Sequence, residues 1–401
     1  MSDRIEAIQA ALWAEHAASI DAWLFCDFRG SDPLAYRILG LPRAELTRRW
    51  FYCVRAVGSP RALVSAVEPS ALARLPGERI VYRAWRELRE GLAALLSGCR
   101  RVAMQYSPEN LIPYVSRVDA GTVELVRGCG VEVVSSADLV QRCEAVWSHE
   151  QYESHRRAAR GLRATVDETF AFIADRVRAG HTVKETDVQS FMLDCFRRFG
   201  LQTSKPPIVA VDDHSANPHY APEPATAAPI RPGSFVLIDL WAKEPNGVYA
   251  DITWTGFVGD TVPARVADVF EVVRAARDAA VDYVKRAVRA RRPVCGAEVD
   301  EAARQVIRDA GYGDYFVHRT GHSIGVEVHG NGANIDGFEN PDTRRLLPAT
   351  CFSIEPGIYL PGEFGVRSEV DVYLSDDDAE ITGLPAQEAV IALLAARTRS
   401  T

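Results

Sequence analysis

The sequence predicts a two-domain protein in which an α/β domain is followed by an α+β domain. Its 401 residues exceed the size at which a single hydrophobic core usually stops growing. Strand-like runs alternate with helical segments up to about residue 145, which is typical of a layered α/β unit. A long charged helix then begins near residue 149 and is followed by further helices and by pairs of strand-like runs. We therefore place the domain boundary between residues 145 and 146.

The elements of the first domain are indicated by residue spacing and by turn residues. Ile5, Ile8 and Leu12 are spaced for one face of a helix over residues 3–17, and a second helix is predicted over 84–97. Apolar runs between Gly and Pro residues predict five strands, at residues 22–26, 49–54, 61–67, 101–106 and 131–134. This segment contains no spacing that is typical of a catalytic motif.

The second domain combines long helices with strands that carry polar residues. Thr186 is predicted to be the N-cap of one of its helices, which are expected over residues 149–179, 186–198, 263–290 and 297–310. Four strand-like runs, each interrupted by polar residues, cover residues 234–241, 248–258, 350–359 and 365–374.

Four acidic residues lie within these otherwise apolar strands. Asp239 and Asp251 are separated by a turn signal at residues 245–247, and a hairpin would bring them together. Glu355 and Glu369 repeat the pattern in the two later runs. A single acid of this kind can be solvated at a strand end or paired with an arginine. Four together favour a cation site or an acid–base pair, because carboxylates are costly to bury unpaired.

Three of the nine histidines, His318, His322 and His329, fall within twelve residues. The spacing of His318 and His322 is similar to that of a zincin, but Arg319 stands where that motif needs glutamate, which disfavours a zincin. One imidazole and four carboxylates suit Mn²⁺, Co²⁺, Fe²⁺ or Zn²⁺. Five ligands suit two bridged ions roughly 3.5 to 4 Å apart better than one open site.

The ordered set Asp239, Asp251, His322, Glu355 and Glu369 resembles the ligand set of the pita-bread metallopeptidases. Gly-His-Ser-Ile-Gly surrounds His322 and Ile-Glu-Pro-Gly surrounds Glu355, as in aminopeptidase P, prolidase and methionine aminopeptidase. The resemblance covers about residues 150–395. It implies a creatinase/prolidase-like α/β domain over residues 1–145, a pita-bread catalytic domain over 146–401, and a homodimer.

The resemblance also implies a role for each ligand. Asp239 would chelate one ion, His322 and Glu355 would bind the other, and Asp251 and Glu369 would bridge the two. The ions would be two divalent metals, with manganese ahead of cobalt, zinc or iron, and a water or hydroxide between them would attack the peptide. Glu355 would also accept a proton during the reaction.

Three further histidines have counterparts in the family. His219 and His329 would bind substrate oxygens or move protons, and His318 would line the pocket for the residue after the cut bond. Taken singly, each of them is equally consistent with a packed, hydrogen-bonded core histidine.

Arg367 and two tryptophans bear on substrate choice. Arg367 matches an arginine of the proline-directed members, where it would bind a substrate carboxylate or orient a metal-bound acid; the alternative is a salt bridge to Asp371 or Asp239. Trp254 stands where relatives often have arginine, and Trp241 is also unusual. The two tryptophans either reshape a pocket or only pack.

The resemblance implies a metal-dependent exopeptidase that cuts the bond between an N-terminal residue and proline, in Xaa-Pro dipeptides or in longer Xaa-Pro peptides. The intact ligand set argues against creatinase, and the first domain argues against methionine aminopeptidase. Two alternatives stay open: a hydrolase of the same scaffold that acts on a non-proline amide, and a catalytically silent peptide-binding module.

Composition limits the partners and the compartment. The net charge of −8 argues against nucleic acid as a partner, and no long apolar segment predicts a membrane span or an export signal. The eight cysteines are dispersed without Cys-x-x-Cys pairs, as expected for reduced thiols in the cytoplasm. We expect a soluble cytoplasmic protein.

Overall fold

A boundary between Glu144 and Ala145 divides the chain into two structural units. The computed structural model describes residues 2–15, 19–43 and 46–396. Among the helices of these residues, none combines the length and the apolar character that a bilayer span requires.

The first unit is an α/β structure, as the sequence predicts. Its strands are β1 (Ala22–Asp27), β2 (Trp50–Arg55), β3 (Arg61–Ser65), β4 (Glu78–Tyr82), β5 (Arg101–Met104) and β6 (Glu132–Ser135). Its helices are α1 (Ser2–Ala14), α2 (Pro33–Leu39), α3 (Trp85–Leu96), α4 (Ala120–Arg127) and α5 (Ala137–Glu144). In the part that the structure describes, the strands form one mixed sheet in the order β4-β3-β2-β1-β5-β6.

Helices cover both faces of this sheet, so its central strands are buried on both sides. In β1, Trp23 and Phe25 pack in the cluster with α1, α2 and α5, whereas Leu24 packs on the opposite face with α3 and α4. The helix predicted over residues 3–17 is observed as α1, and residues 16 and 17 lie outside the described residues. Strand β4 and helices α2, α4 and α5 were not predicted; the strand has only five residues and the helices only seven or eight, which leaves few repeats in which a period can be recognised.

The second unit combines four long helices with several small sheets. Its helices are α6 (His149–Arg178), α7 (Glu185–Arg198), α8 (Ala264–Arg289) and α9 (Gly296–Asp309). Its strands are β7 (Val183–Lys184), β8 (Ile208–Val211), β9 (Pro229–Ile230), β10 (Phe235–Ala242), β11 (Ala250–Phe257), β12 (Ser323–Ile324), β13 (Thr350–Ile354), β14 (Gly357–Leu360), β15 (Phe364–Arg367), β16 (Val370–Leu374), β17 (Ala379–Thr382) and β18 (Ile391–Ala392).

Within the described residues, two four-stranded sheets of the second unit contain the strands β10, β11, β13 and β16. One has the order β18-β11-β10-β8 and packs against α6 and α7 through residues such as Leu162, Phe170 and Ile238. The other has the order β12-β13-β16-β17 and packs against α8 and α9 through residues such as Val273 and Phe352. The α+β class predicted for this part of the chain is confirmed.

Two local predictions were wrong. Thr186 is not an N-cap, because α7 starts one residue earlier, after Lys184, whose backbone N–H donates to Asp187 Oδ2 at 2.8 Å. The strands predicted over 350–359 and 365–374 are not continuous. Each breaks into two, and Pro356, which has no N–H to donate, lies at the first break.

His155 on α6 is a fully buried histidine that the fold holds neutral. Its Nδ1 donates to the Tyr249 carbonyl at 2.7 Å, and its Nε2 accepts from the Thr382 hydroxyl at 2.6 Å. Burial lowers the pKa of His155 to about 4 from its usual 6.5. Between pH 4 and pH 6.5, the unfolded chain therefore carries a proton on His155 that the folded protein lacks. The free energy of unfolding consequently rises with pH across this window.

We expect the free-energy advantage of the wild type over His155→Gln to fall by about 3 kcal/mol between pH 7 and pH 4, since one pKa unit corresponds to about 1.4 kcal/mol. Urea unfolding at a series of pH values measures this difference. His149→Gln, at the exposed start of the same helix, is the control and should show no such trend. An advantage independent of pH would mean that His155 is charged in the folded protein.

Candidate metal centre

The pairing of β10 with β11 places two of the predicted acids on one face of a hairpin. Asp239 pairs with Thr253, and Asp251 pairs with Trp241. Directly opposed residues, and residues two apart on one strand, project from the same face. Asp239, Asp251, Thr253 and Trp241 therefore share one face of the sheet.

Glu355 and Glu369 lie at the break in the second hairpin. Ile354 pairs with Val370 at the end of the β13–β16 ladder, and the two glutamates are the next residues on each side. Ser353 Oγ donates to Glu355 Oε1 at 3.0 Å. Regular pairing resumes only in β14 and β15, so the acids occupy the irregular segment between two ladders.

His322 immediately precedes β12, which pairs with β13 and so brings the ring to the same region. Its Nδ1 lies 3.1 Å from the Ser323 carbonyl, which only accepts, so Nδ1 carries the proton. The unprotonated Nε2 lies 3.6 Å from Asp251 Oδ2 and 3.3 Å from Glu355 Oε1. Burial lowers the pKa of His322 well below its usual value, which keeps this lone pair free.

The centre brings several acidic side chains together, and some of their carboxylate oxygens have no hydrogen-bond partner among the described residues. Candidate ligand atoms of Asp251, His322 and Glu369 all lie within 4.8 Å of one another. Asp251 Oδ1 and Glu369 Oε1 are buried and have no hydrogen-bond partner among the described residues. Burial, and then the charge of Glu369, raises the pKa of Asp251 well above its usual value. Buried unpartnered carboxylate oxygens beside a free imidazole nitrogen fit divalent cations.

Arg367 is buried beside these acids, and three protein groups lie within 3.1 Å of its nitrogens. Nη2 lies 2.5 Å from Asp239 Oδ2, Nε donates to Thr253 Oγ1 at 3.1 Å, and Nη1 donates to the Tyr359 hydroxyl at 2.9 Å. Burial raises the pKa of Asp239, and the charge of Arg367 opposes that rise. Of the roles considered from the sequence, this geometry favours the salt bridge to Asp239.

His318 is connected to Arg367 through Tyr359. The His318 Nδ1 donates to the Arg319 carbonyl at 2.7 Å, and its Nε2 accepts from the Tyr359 hydroxyl at 2.8 Å. Burial, followed by the charge of Arg367, lowers the pKa of His318 to about 3. The ring is therefore neutral, and both of its nitrogens are engaged by the protein.

His329 and His219 complete the predicted set. The rings of His329 and His322 meet at a centroid separation of 4.3 Å and an angle of 66°. His219 is exposed, on a turn that follows the short helical segment Asp212–Ala216. It lies near enough to Asp239 for an imidazolium charge there to oppose the burial-induced rise in the pKa of that acid.

Comparison with known proteins identifies the family. The model of metallopeptidase family M24 matches residues 153–376, which is more than half of the chain. The chain belongs to metallopeptidase family M24. The expected pita-bread architecture of the prolidase and aminopeptidase P branch is thereby confirmed, as is the assignment to the metallopeptidases.

Relatives of this M24 protein include two groups of dipeptidases. The Xaa-Pro dipeptidase of Lactobacillus delbrueckii subsp. lactis is 40% identical over 169 residues, which cover 42% of this chain and 42% of that protein. The probable dipeptidase PepE of Mycobacterium tuberculosis is 30% identical over 324 residues, which cover 81% of this chain and 79% of the relative.

Solved structures share the fold of this M24 chain over nearly its whole length. Dipeptidase PepE from Mycobacterium ulcerans matches with a TM-score of 0.73 and 24% identity, and the match covers 98% of this chain and 97% of that one. The prolidase from Thermococcus sibiricus matches with a TM-score of 0.64 and 23% identity, over 97% and 98% of the two chains.

Two contributors to this M24 centre were missed from the sequence, and a third, Asp371, was considered there only as a partner of Arg367. Thr253 donates to Glu369 Oε2 at 2.7 Å and so joins the two hairpins. Asp371 Oδ2 accepts the backbone N–H of Asp251 at 2.8 Å. The Tyr359 hydroxyl accepts from Arg367 Nη1 and donates to His318 Nε2. Thr253 could have been found from its i+2 spacing to Asp251; the other two depend on packing between distant segments.

Glu185, the first residue of α7, is a fully buried acid that braces the segment carrying His219. Its Oε1 accepts from the Val211 N–H and from His214 Nδ1, each at 2.9 Å. Its Oε2 accepts from the Tyr220 hydroxyl and from the Ala228 N–H, each at 2.7 Å. One carboxylate therefore satisfies donors on both sides of His219.

We expect Glu185→Gln to lower the free energy of unfolding by about 2 kcal/mol or more, because an amide cannot accept from all four donors and leaves buried groups unpaired. Turnover should fall as well, since the turn that carries His219 loses its support. Asp194→Asn on the same helix is the control, because its salt bridge with Arg197 is exposed and should contribute little. Equal stability of the two variants in denaturant titrations would contradict the bracing role.

Proposed function

We propose that this M24 protein hydrolyses the bond between an N-terminal residue and proline, in Xaa-Pro dipeptides or in longer Xaa-Pro peptides. The proposal rests on the buried cluster of Asp251, His322 and Glu369, whose candidate ligand atoms all lie within 4.8 Å of one another. Asp251 Oδ1 and Glu369 Oε1 in this cluster have no hydrogen-bond partner among the described residues. The printed names of the relatives, Xaa-Pro dipeptidase and dipeptidase PepE, support this substrate class.

The proposed cofactor is a pair of divalent ions, with manganese preferred over cobalt, zinc or iron. Asp239 would hold one ion, His322 and Glu355 the other, and Asp251 and Glu369 both. Bound ions of this kind supply Lewis-acid polarisation of a carbonyl and an acidified water. The hydrogen bond from His322 Nδ1–H to the Ser323 carbonyl supports this assignment, because it leaves the lone pair of Nε2 free to ligate a metal ion.

The surrounding residues would position the substrate and move protons. Glu355 is the proposed proton acceptor. Its side chain is 16% exposed, whereas that of His322, the other proposed ligand of the same ion, is 4% exposed, so Glu355 is the more accessible of the two to a substrate. His219 and His329 would bind the substrate carbonyl oxygen or shuttle protons, and His318 would line the pocket beyond the cut bond. Arg367 would hold Asp239 in its ligating orientation through their salt bridge.

The direct test uses purified protein loaded with Mn²⁺, Co²⁺ or Zn²⁺ and, in parallel, treated with a chelator. An Xaa-Pro dipeptide, an Xaa-Pro-Yaa tripeptide and an Xaa-Ala dipeptide are compared. We expect hydrolysis of proline substrates that requires added metal. Cleavage of the dipeptide alone identifies a dipeptidase, and cleavage of the tripeptide identifies an aminopeptidase. Metal binding without cleavage of any peptide would instead support a silent binding module.

Trp241 favours a second candidate, hydrolysis of a non-proline amide on the same scaffold. Its side chain shares the face of Asp239 and Asp251, packs beside Tyr249 and Ile324, and has an indole N–H without a hydrogen-bond partner among the described residues. A bulky donor at this place would narrow the pocket and select the substrate. Trp254 lies on the opposite face, under the Arg163 guanidinium at 3.9 Å, and only packs.

We expect Trp241→Leu to change the ratio of kcat/KM between Xaa-Pro and Xaa-Ala substrates by about tenfold, since one pocket contact is worth about 1 to 3 kcal/mol of discrimination. Trp254→Leu is the matched control and should change stability without changing this ratio. The role of Trp241 in selectivity would be refuted by an unchanged ratio in both variants.

We also propose a homodimer and a cytoplasmic location. The eight cysteines all lie within the described residues and are free, which supports a reducing compartment. The homodimer rests on the family resemblance, and light scattering of the eluting protein in size-exclusion chromatography tests it.

A further inference from the structure

Cys99 lies in the first unit, far in sequence from the M24 centre, at the connection between α3 and β5. Its side chain is half-buried and lines a surface pocket of about 400 Å³. Asp21 and Arg55 line the same pocket. A small molecule that enters the pocket therefore meets a thiol and a guanidinium together.

Arg55 contacts the Cys99 sulfur directly. Its Nη2 lies 3.3 Å from Cys99 Sγ and also donates to the Ser97 carbonyl, which holds the guanidinium in place. Arg55 ends β2, two residues after Cys53, so the two side chains project from the same face of the sheet. A fixed cation at this distance stabilises the thiolate form of Cys99.

Cys53 provides a second sulfur at the same place. It is fully buried in the cluster that α3 and α4 form with the sheet, and Cys99 packs against this cluster. Cys53 and Cys99 influence each other's ionisation: Cys53 lowers the pKa of Cys99, and Cys99 raises the pKa of Cys53 well above its usual value. The interaction with Cys53, and after it the one with Arg55, lowers the pKa of Cys99 to about 6, whereas burial and the charge of Asp21 oppose the change.

Cys129 shows what the same cluster does to an ordinary thiol. It is also half-buried against the cluster, and its Sγ lies 3.6 Å from the Leu125 carbonyl. Burial raises the pKa of Cys129, and Arg89 opposes this only in part. Cys129 is therefore an internal reference for Cys99, because both thiols are half-buried against the same cluster.

We propose that Cys99 and Cys53 form a peroxide-reactive thiol pair in the first unit. The Cys99 thiolate attacks one peroxide oxygen, the O–O bond breaks, and hydroxide leaves, which converts Cys99 to a sulfenic acid. The Cys53 thiol then attacks this sulfur and water leaves, which forms a Cys53–Cys99 disulfide. The two thiols lose two electrons and the peroxide accepts them. Cys99 reacts first because it lines the pocket, and Cys53 resolves because it is buried.

The first experiment uses the wild-type chain and a limiting amount of iodoacetamide at pH 7, with labelled sites quantified by mass spectrometry. We expect Cys99 to be alkylated about tenfold faster than Cys129, because its larger thiolate fraction outweighs the lower nucleophilicity of a less basic thiolate. Arg55→Gln should reduce this ratio severalfold. A Cys99 rate no higher than the Cys129 rate would overturn the proposal.

The second experiment adds hydrogen peroxide to the reduced, metal-free protein and maps disulfides in unreduced digests. The expected product is a Cys53–Cys99 link, whereas Cys53→Ala should leave a Cys99 sulfenic acid that dimedone traps. Cys129→Ala should behave as the wild type. Peroxide treatment of the wild type that yields no Cys53–Cys99 link, or that oxidises Cys129 as readily as Cys99, would overturn the proposal even if the variants failed to fold.

Discussion

Glu369→Gln is expected to abolish peptide hydrolysis and, at the same time, to stabilise the metal-free protein. Turnover should fall by more than about 100-fold, because even the partner of a metal ligand is commonly worth 10- to 100-fold and Glu369 is proposed to contact both ions. Metal content, measured by elemental analysis of the purified variant, should fall with it.

The stabilisation follows from the environment of the acid. Burial, and then the charge of Glu355, raises the pKa of Glu369 well above its usual value, and its Oε1 has no hydrogen-bond partner among the described residues. At pH 8 without metal, folding must therefore either bury this charge or protonate the acid, and glutamine requires neither. The gain should vanish as the pH falls to about 4, since the acid is then protonated in both the folded and the unfolded chain.

Glu363→Gln is the control for this experiment, because Glu363 is an exposed acid of the same hairpin, between β14 and β15. It should change neither turnover nor the melting temperature measured with chelator at pH 8. A Glu369→Gln protein that keeps its metal and its activity would refute the ligand assignment. A metal-free form less stable than the wild type would refute the account of its charge.

Arg367→Ala is expected to destabilise the metal-free protein by about 3 to 5 kcal/mol, because it leaves the buried carboxylate of Asp239 without its charged partner. Turnover should fall by about 100-fold, since Asp239 loses the contact that orients it. Arg367→Lys should recover only part of both, because an ammonium cannot contact Asp239, Thr253 and Tyr359 in the fork geometry of a guanidinium.

A double-mutant cycle with Asp239→Asn separates pairing from packing. If the salt bridge is the cause, Arg367→Ala combined with Asp239→Asn should be more stable than Arg367→Ala alone in guanidinium titrations with chelator. Two independent, additive losses would mean that Arg367 acts through packing rather than through its charge.

The proposed ligands show which structural features local sequence patterns predict and which they do not. Asp239 and Asp251 were assigned to neighbouring strands from a turn signal, and the register of β10 and β11 places them on one face. The strands around Glu355 and Glu369 were predicted as continuous, and they are broken at the acids. Alternation along one strand is visible in a sequence, whereas a break depends on which second strand takes over the hydrogen bonds.

The amino-acid sequence by itself determined the order and chemical identity of the five proposed ligands, the change from an α/β to an α+β pattern near residue 145, and the membership in a family. These are properties of neighbours along the chain, where strand and helix periods act. Only the tertiary structure decided that Arg367 faces Asp239, that Glu185 supports the turn of His219, and that Cys53 meets Cys99. Each of these contacts joins residues dozens of positions apart, and buried polar groups accept whichever partner packing brings within reach.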